Sequence, residues 1–200
     1  MKRLILLSVA ASASFAASFA ACAATETYVL DSTHTVPSFS VMHFGMSTVR
    51  GLFEGSSGKV TLDIAAKTGS VEVKIPTGTV FTGYLKSTGA GRTRDEHLRA
   101  ADFFNSAEFP DMVFKSTKFN FAGDKVSDVS GTLTLLGKTQ PVTLKASNFN
   151  CYVSPMLKRE VCGGDFETTI ARSSYGMPFG INFGLPDNIR LLIQIEAIKQ

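Results

Sequence analysis

From residue 58 onward the chain alternates. In GKVTLDIA the apolar residues Val60, Leu62 and Ile64 fall at every second position, and in SVEVKIP so do Val71, Val73 and Ile75, with Glu72 and Lys74 between them. Successive side chains on a strand point to opposite faces, so a period of two marks a strand with one face buried and the other in water. The pattern returns in GTLTLLG (Leu133, Leu135), QPVTLKA (Val142, Leu144) and FETTIAR (Phe166, Thr168, Ile170), and closes in NIRLLIQIEAI, where Ile189, Leu191, Ile193 and Ile195 share one parity. Turn signals at 55–58, FAGDK and LGKTQP separate the runs. Roughly eight strands between Tyr28 and Ile198 predict an all-β fold, either an antiparallel sandwich or a closed barrel.

One segment departs from the rhythm. In GRTRDEHLRAADFFN, Thr93 and Glu96 have the spacing of a capping box, which predicts a helix from Arg94 that ends before Pro110, with Leu98, Ala101 and Phe104 along one side. No repeat or low-complexity segment divides residues 24–200, which are expected to form a single domain.

Residues 1–23 read as a secretory signal. Lys2 and Arg3 precede an apolar run from Leu4 to Ala21, and Ala21-Cys22-Ala23 is a small-x-small site for cleavage after Ala23. FAAC also resembles a lipoprotein box, with Phe19 where a leucine is usual, so lipid anchoring at Cys22 is the minor alternative. Without the signal, 18 of the 20 basic residues face 17 acidic ones, a net charge of about +1. With no run of lysine or arginine left to neutralise phosphates, nucleic acid is not an expected partner. No apolar stretch long enough to span a bilayer follows the signal, so the mature protein is expected to be exported and soluble. In an oxidising compartment Cys151 and Cys162 are left as a pair, which predicts a disulfide; two reduced thiols are the alternative, and zinc is less favoured because no histidine or third cysteine lies near.

Three histidines are the obvious candidates for chemistry. In YVLDSTHTVPSFSVMHF an unbulged strand over 35–44 puts Phe39, Val41 and His43 on one face and gives His34 the opposite parity, so these two histidines cannot share a metal. His34 has Asp31 close by and His97 has Asp95, but no G-x-S-x-G elbow and no H-E-x-x-H motif accompanies them. The expectation is that Asp31 and His34 bond in a turn at a barrel rim, with no catalytic residue, metal or cofactor assigned. Arg172 is a stronger lead, because it shares parity with Phe166 and Ile170 and so places a charge on an apolar face. A buried arginine needs a partner, whether an internal carboxylate, a carbonyl or the polar end of a ligand. Sixteen phenylalanines without a tryptophan, among them Phe81, Phe103, Phe104, Phe109, Phe114, Phe119 and Phe121 around the turns and the helix, suit a barrel that is either filled or hollow.

Four ordered blocks carry a resemblance. YVLDSTHTVPSFSVMHFGMSTVRGLFEGSSGKVTLD, TRDEHLRAADFFNSAEFPDMVFKS, VSGTLTLLGKTQPVTLKASNF and ARSSYGMPFG resemble the signature segments of the YceI-like family over nearly all of residues 26–198. The resemblance implies an extended eight-stranded, lipocalin-like antiparallel barrel with a short helical insertion, exported to the periplasm. Its apolar tunnel would hold a polyisoprenoid or similar long-chain lipid, quinone-type tails included, and the family has no established catalytic activity. Carried onto this chain, the tunnel wall is expected at Phe39, Val41, His43, Leu98, Phe104, Phe114 and Ile170, and head-group contacts at Arg94, His97 and Arg172. Arg94, Asp95 and His97 belong to the second block, Arg172 and Gly176 to the last, where Ser174 stands in place of a common aspartate. Transient membrane contact and a homodimer are compatible with such a carrier. A hydrolase or isomerase acting on an amphipathic lipid through Asp31, His34 or His97 is the alternative, and it requires these groups to converge on one pocket.

Overall fold

The computed structural model describes residues 25–84, 86–87 and 91–200; residues 1–23, expected to be a signal, and Cys22 among them lie outside the described residues. Within these residues the strands are β1 (Glu26–Leu30), β2 (Val36–His43), β3 (Ser47–Leu52), β4 (Ser57–Asp63), β5 (Thr68–Pro76), β6 (Asp111–Ala122), β7 (Lys125–Leu135), β8 (Lys138–Val153), β9 (Glu160–Ala171) and β10 (Asn188–Lys199), with helix α1 (Arg94–Arg99) between β5 and β6. The sheet runs β1-β4-β5-β6-β7-β8-β9-β10 and closes through a β1–β10 pairing, giving an eight-stranded antiparallel barrel. Closure pairs the outer edges of β1 and β10, which would otherwise be open to edge-to-edge association.

β10 is where the barrel is extended. Its C-terminal part pairs with β1 (Tyr28↔Lys199), and its N-terminal part pairs with β2 (Arg190↔Ser40), which in turn carries β3. The turn between β1 and β2 is pinned at this change of partner: Asp31 N–H donates to the Glu196 carbonyl at 2.9 Å, and the fully buried Thr35 hydroxyl donates to the same oxygen at 3.0 Å. β3 has no second strand beside it, and a Leu52–Phe81 bridge ties it to the segment leading into α1. Gly51 makes room here, since a Cβ on it would lie 2.4 Å from the Phe39 ring. That ring joins Phe53 and Phe104 in a cluster with centroids 5.3–6.5 Å apart, which fastens β2 and β3 to the chain after α1.

The closed eight-stranded barrel is as expected, and the β2–β3 hairpin adds two strands that lengthen one wall. Other expectations need correction. Ile64 lies past the end of β4, in a turn, and is only half-buried. Phe114, Phe119 and Phe121 sit on β6 and not around turns or the helix. The capping box at Thr93 and Glu96 is present, but α1 stops at Arg99: Ala100 turns to an extended ψ of 173°, and Ala101 is exposed instead of lying on a buried side.

Cys151 and Cys162 face each other across the β8–β9 ladder and form a disulfide. It closes a short ring at the turn end of this hairpin, so replacing both cysteines by serine is expected to lower stability by about 3 kcal/mol in the chain-entropy account. Urea unfolding with and without the bridge checks this, and an unchanged midpoint would contradict it.

Candidate functional site

The inward faces of the strands enclose a cavity of about 510 Å³. Its wall is the parity set: Val71, Val142, Leu144, Ile189, Leu191, Ile193 and their equivalents on the other strands all face it. Many of these side chains are only half-buried, although they point inward. A barrel filled by its own side chains would bury them fully, so their residual exposure is exposure to the lumen. Toward the β8–β9 hairpin the lumen is bounded by tightly buried groups such as Tyr28 and Phe149. The Tyr28 hydroxyl donates to Glu160 at 2.6 Å, and burial beside that carboxylate pushes its pKa well up. At the other end the wall includes exposed His43 and Phe179, and there the lumen opens.

All ten residues expected at the tunnel wall or the head group lie on this one cavity: Phe39, Val41, His43, Leu98, Phe104, Phe114 and Ile170 along it, with Arg94, His97 and Arg172 at the open end. Two elements place the polar trio, α1 and the loop between β9 and β10. α1 brings Arg94 and His97, with the Arg94 guanidinium 5.1 Å from the Tyr84 ring centroid. The His97 ring packs edge-on against Phe103 and Phe179 at 5.0 and 5.1 Å, joining the helix segment to the loop between β9 and β10. The same loop is organised by Arg172.

Arg172 is 4% exposed, and among the described residues it hydrogen-bonds to carbonyls and to no carboxylate, with Asp187 acting on it only through space. Its Nε donates to the Pro186 carbonyl at 2.9 Å, and its Nη1 to the carbonyls of Met177 and Phe179 at 2.7 and 2.8 Å. Asp187 is occupied by the Ser173 amide and hydroxyl, at 2.8 and 2.6 Å, which hold its carboxyl below the usual range. Of the three partners open at the sequence level, carbonyls are the ones found. Nη2 is buried without an acceptor, a cationic N–H left over beside an apolar lumen. Desolvation moves the guanidinium pKa down from its ordinary value.

The histidines separate. His34 stands in the exposed β1–β2 turn with Nδ1 2.8 Å from Asp31 Oδ2, while Thr33 donates its amide and hydroxyl to Asp31 Oδ1 at 2.9 and 2.6 Å. These bonds lower Asp31 to about 2, and the carboxylate raises His34 above 6.5. A raised histidine pKa means that the contact supports the turn at low pH and fades as pH rises through the folded-state value. Proton NMR of the His34 ring should therefore give a midpoint above 6.5, and Asp31→Asn should return it to the ordinary value of about 6.5; equal midpoints would contradict the pair. His97 does not bond Asp95, which is buried and accepts from the Thr82 amide and hydroxyl; its Nε2 lies 3.0 Å from Asp102, which also takes Arg92. Neither Asp31 nor His34 lines the cavity, so Asp31, His34 and His97 do not converge on one pocket. Among the described residues no three His, Cys, Asp or Glu side chains are grouped to hold a metal.

The loop at 172–187 was the part of the site that sequence reasoning passed over. Met177, Phe179, Leu185 and Pro186 all line the lumen, though the segment has no periodicity. Its signal is compositional, a stretch rich in glycine, proline and apolar residues and without a charge between Arg172 and Asp187.

Comparison with known proteins matches this architecture. The YceI-like domain matches residues 28–197. A UPF0312 protein of Shewanella denitrificans is 35% identical over 180 residues, covering 86% of this chain and 87% of that protein. Among solved structures, the Campylobacter jejuni YceI protein superposes with a TM-score of 0.66 at 27% identity, over 80% of this chain and 90% of the other. A polyisoprenoid-binding domain from Saccharophagus degradans shares the fold, with a TM-score of 0.58 at 16% identity over 86% and 98% of the two chains. With a barrel, an inserted helix and a matched span that reaches from β1 to β10, the chain belongs to the YceI-like family.

Proposed function

We propose that the protein binds a polyisoprenoid or similar long-chain lipid in its lumen and carries or stores it outside the cytoplasm. The observation that carries this reading is the open apolar lumen of about 510 Å³, walled by aliphatic and phenylalanine side chains, many of which are only half-buried although they line it. The polyisoprenoid-binding domain of Saccharophagus degradans has the same fold and supports the same ligand class. Each methylene moved from water into such a lumen contributes about 0.8 kcal/mol, so a chain of several isoprene units supplies enough for micromolar or tighter binding after ordering costs. Arg94, His97 and the spare Arg172 N–H at the open end would receive the oxygen-bearing head, whether hydroxyl, phosphate or quinone. Export is supported by the signal-like residues 1–23 and by the Cys151–Cys162 disulfide, a bond that persists in oxidising compartments.

Native mass spectrometry of protein secreted by a bacterial host, followed by organic extraction, tests the reading. A bound long apolar molecule is expected. Protein that emerges without an apolar adduct, and takes up none from detergent-dispersed prenyl alcohol, would overturn it.

A further inference from the structure

The open end of the barrel, which Arg94 and His97 also border, carries a cluster of apolar side chains that the fold leaves uncovered. Phe44 and Met46, at the tip of the β2–β3 hairpin, are 46% and 78% exposed, and Phe183 in the β9–β10 loop is 76% exposed. The two tips adjoin, since a Cβ on Gly184 would lie 3.4 Å from the Phe44 ring. They are continuous with the lumen: His43 packs edge-on against Phe44 at 4.6 Å and is itself part of the lumen wall, as is the exposed Phe179 of the second loop.

Charge distribution says what covers this rim. Residues 36–49 and 173–186, which carry the two tips, contain no aspartate, glutamate, lysine or arginine. Exposed loops ordinarily hold charge, and a protein-binding patch commonly uses arginine or a charged border. Hydrocarbon is the environment that penalises any charge placed in it. The opposite end provides an internal contrast, because the β8–β9 tip also exposes Met156 and Leu157 but sets Lys158 and Arg159 beside them.

We propose that the Phe44, Met46 and Phe183 rim dips into the surface of a phospholipid bilayer, so that the lumen opens directly onto the membrane interior. This rests on the lipid-carrier reading above and names the source from which the lumen is loaded. A long apolar molecule that crossed water would expose its whole chain, and a mouth held within the interface removes that step. Because the contact is apolar, it requires neither anionic lipid nor low salt.

The test uses the full-length mature chain and a Phe44→Ser/Met46→Ser/Phe183→Ser variant, none of whose positions lines the lumen. Three quantities are measured: partition onto phosphatidylcholine vesicles, the rate of transfer of a fluorescent prenyl lipid from those vesicles, and equilibrium loading of the same lipid from detergent. The unsubstituted protein is expected to bind the uncharged vesicles at low and high salt alike. The variant should bind about a hundred-fold more weakly and load from vesicles correspondingly slowly, with loading from detergent unchanged. Binding that needs phosphatidylglycerol, falls with salt and is lost in Lys158→Glu/Arg159→Glu would place the contact at the opposite tip and overturn the proposal. So would transfer without vesicle binding, or a rim-dependent dimer in sedimentation equilibrium, which would make a second copy the occupant. Failure of the unsubstituted protein to load from detergent would instead count against the lumen reading, and vesicle partition would still decide the rim.

Discussion

Replacing Arg172 by leucine is expected to destabilise the protein by about 3 kcal/mol, the largest effect of any single substitution at the site. The guanidinium fork donates to the carbonyls of Met177, Phe179 and Pro186, and thereby fixes a loop that has no ladder of its own. Leucine fills the apolar space but leaves those carbonyls without donors, and they recover water only by letting the loop open. Phe179 would then leave its contacts with His97 and Phe103. Arg172→Lys keeps the charge without the planar fork and should recover part of the loss. Urea unfolding measures the first effect and ring-proton shifts of His97 the second; a leucine variant within about 1 kcal/mol of the parent would mean that the carbonyls find other partners.

The second large effect concerns the lumen. Ile193→Trp is expected to weaken binding of a long prenyl lipid by about a hundred-fold while leaving the thermal midpoint equal or higher. Ile193 pairs with Phe166 on β9 and Pro37 on β2, faces the lumen and is only half-buried, so an indole there enters open volume instead of displacing packed atoms. Thr143→Trp is the matched control: it introduces the same indole at an exposed position between Val142 and Leu144, both of which face inward. Equal affinities for the two variants would show that the lipid does not occupy the lumen.

Much of this site was legible in the sequence because strand geometry makes parity a reliable guide to direction. Val142 and Leu144, or Ile189 through Ile195, face inward wherever the barrel closes, and the same rule exposed Arg172 as a charge on the apolar side. Parity does not reveal whether the interior is filled or empty, since inward residues are apolar in both cases. Loops escape it altogether. The β9–β10 loop becomes lumen wall through bonds that Arg172 makes to residues 5 to 14 positions later, a relation with no local pattern. The helix was read too long because its capping box fixes only the start, and nothing in AADFF marks the extended Ala100 that ends it. His97 was paired with Asp95 by proximity in sequence, whereas Asp95 points to Thr82 and the turn after α1 brings Asp102 to the ring.

The most direct test of the lumen as a lipid site is a titration of the protein with prenyl alcohols of increasing length, followed by calorimetry or tyrosine fluorescence. Affinity should rise with each added isoprene unit until the lumen is full and then level off, with a negative heat-capacity change that grows in step. Affinity independent of chain length, or set by the head group alone, would contradict binding in the lumen.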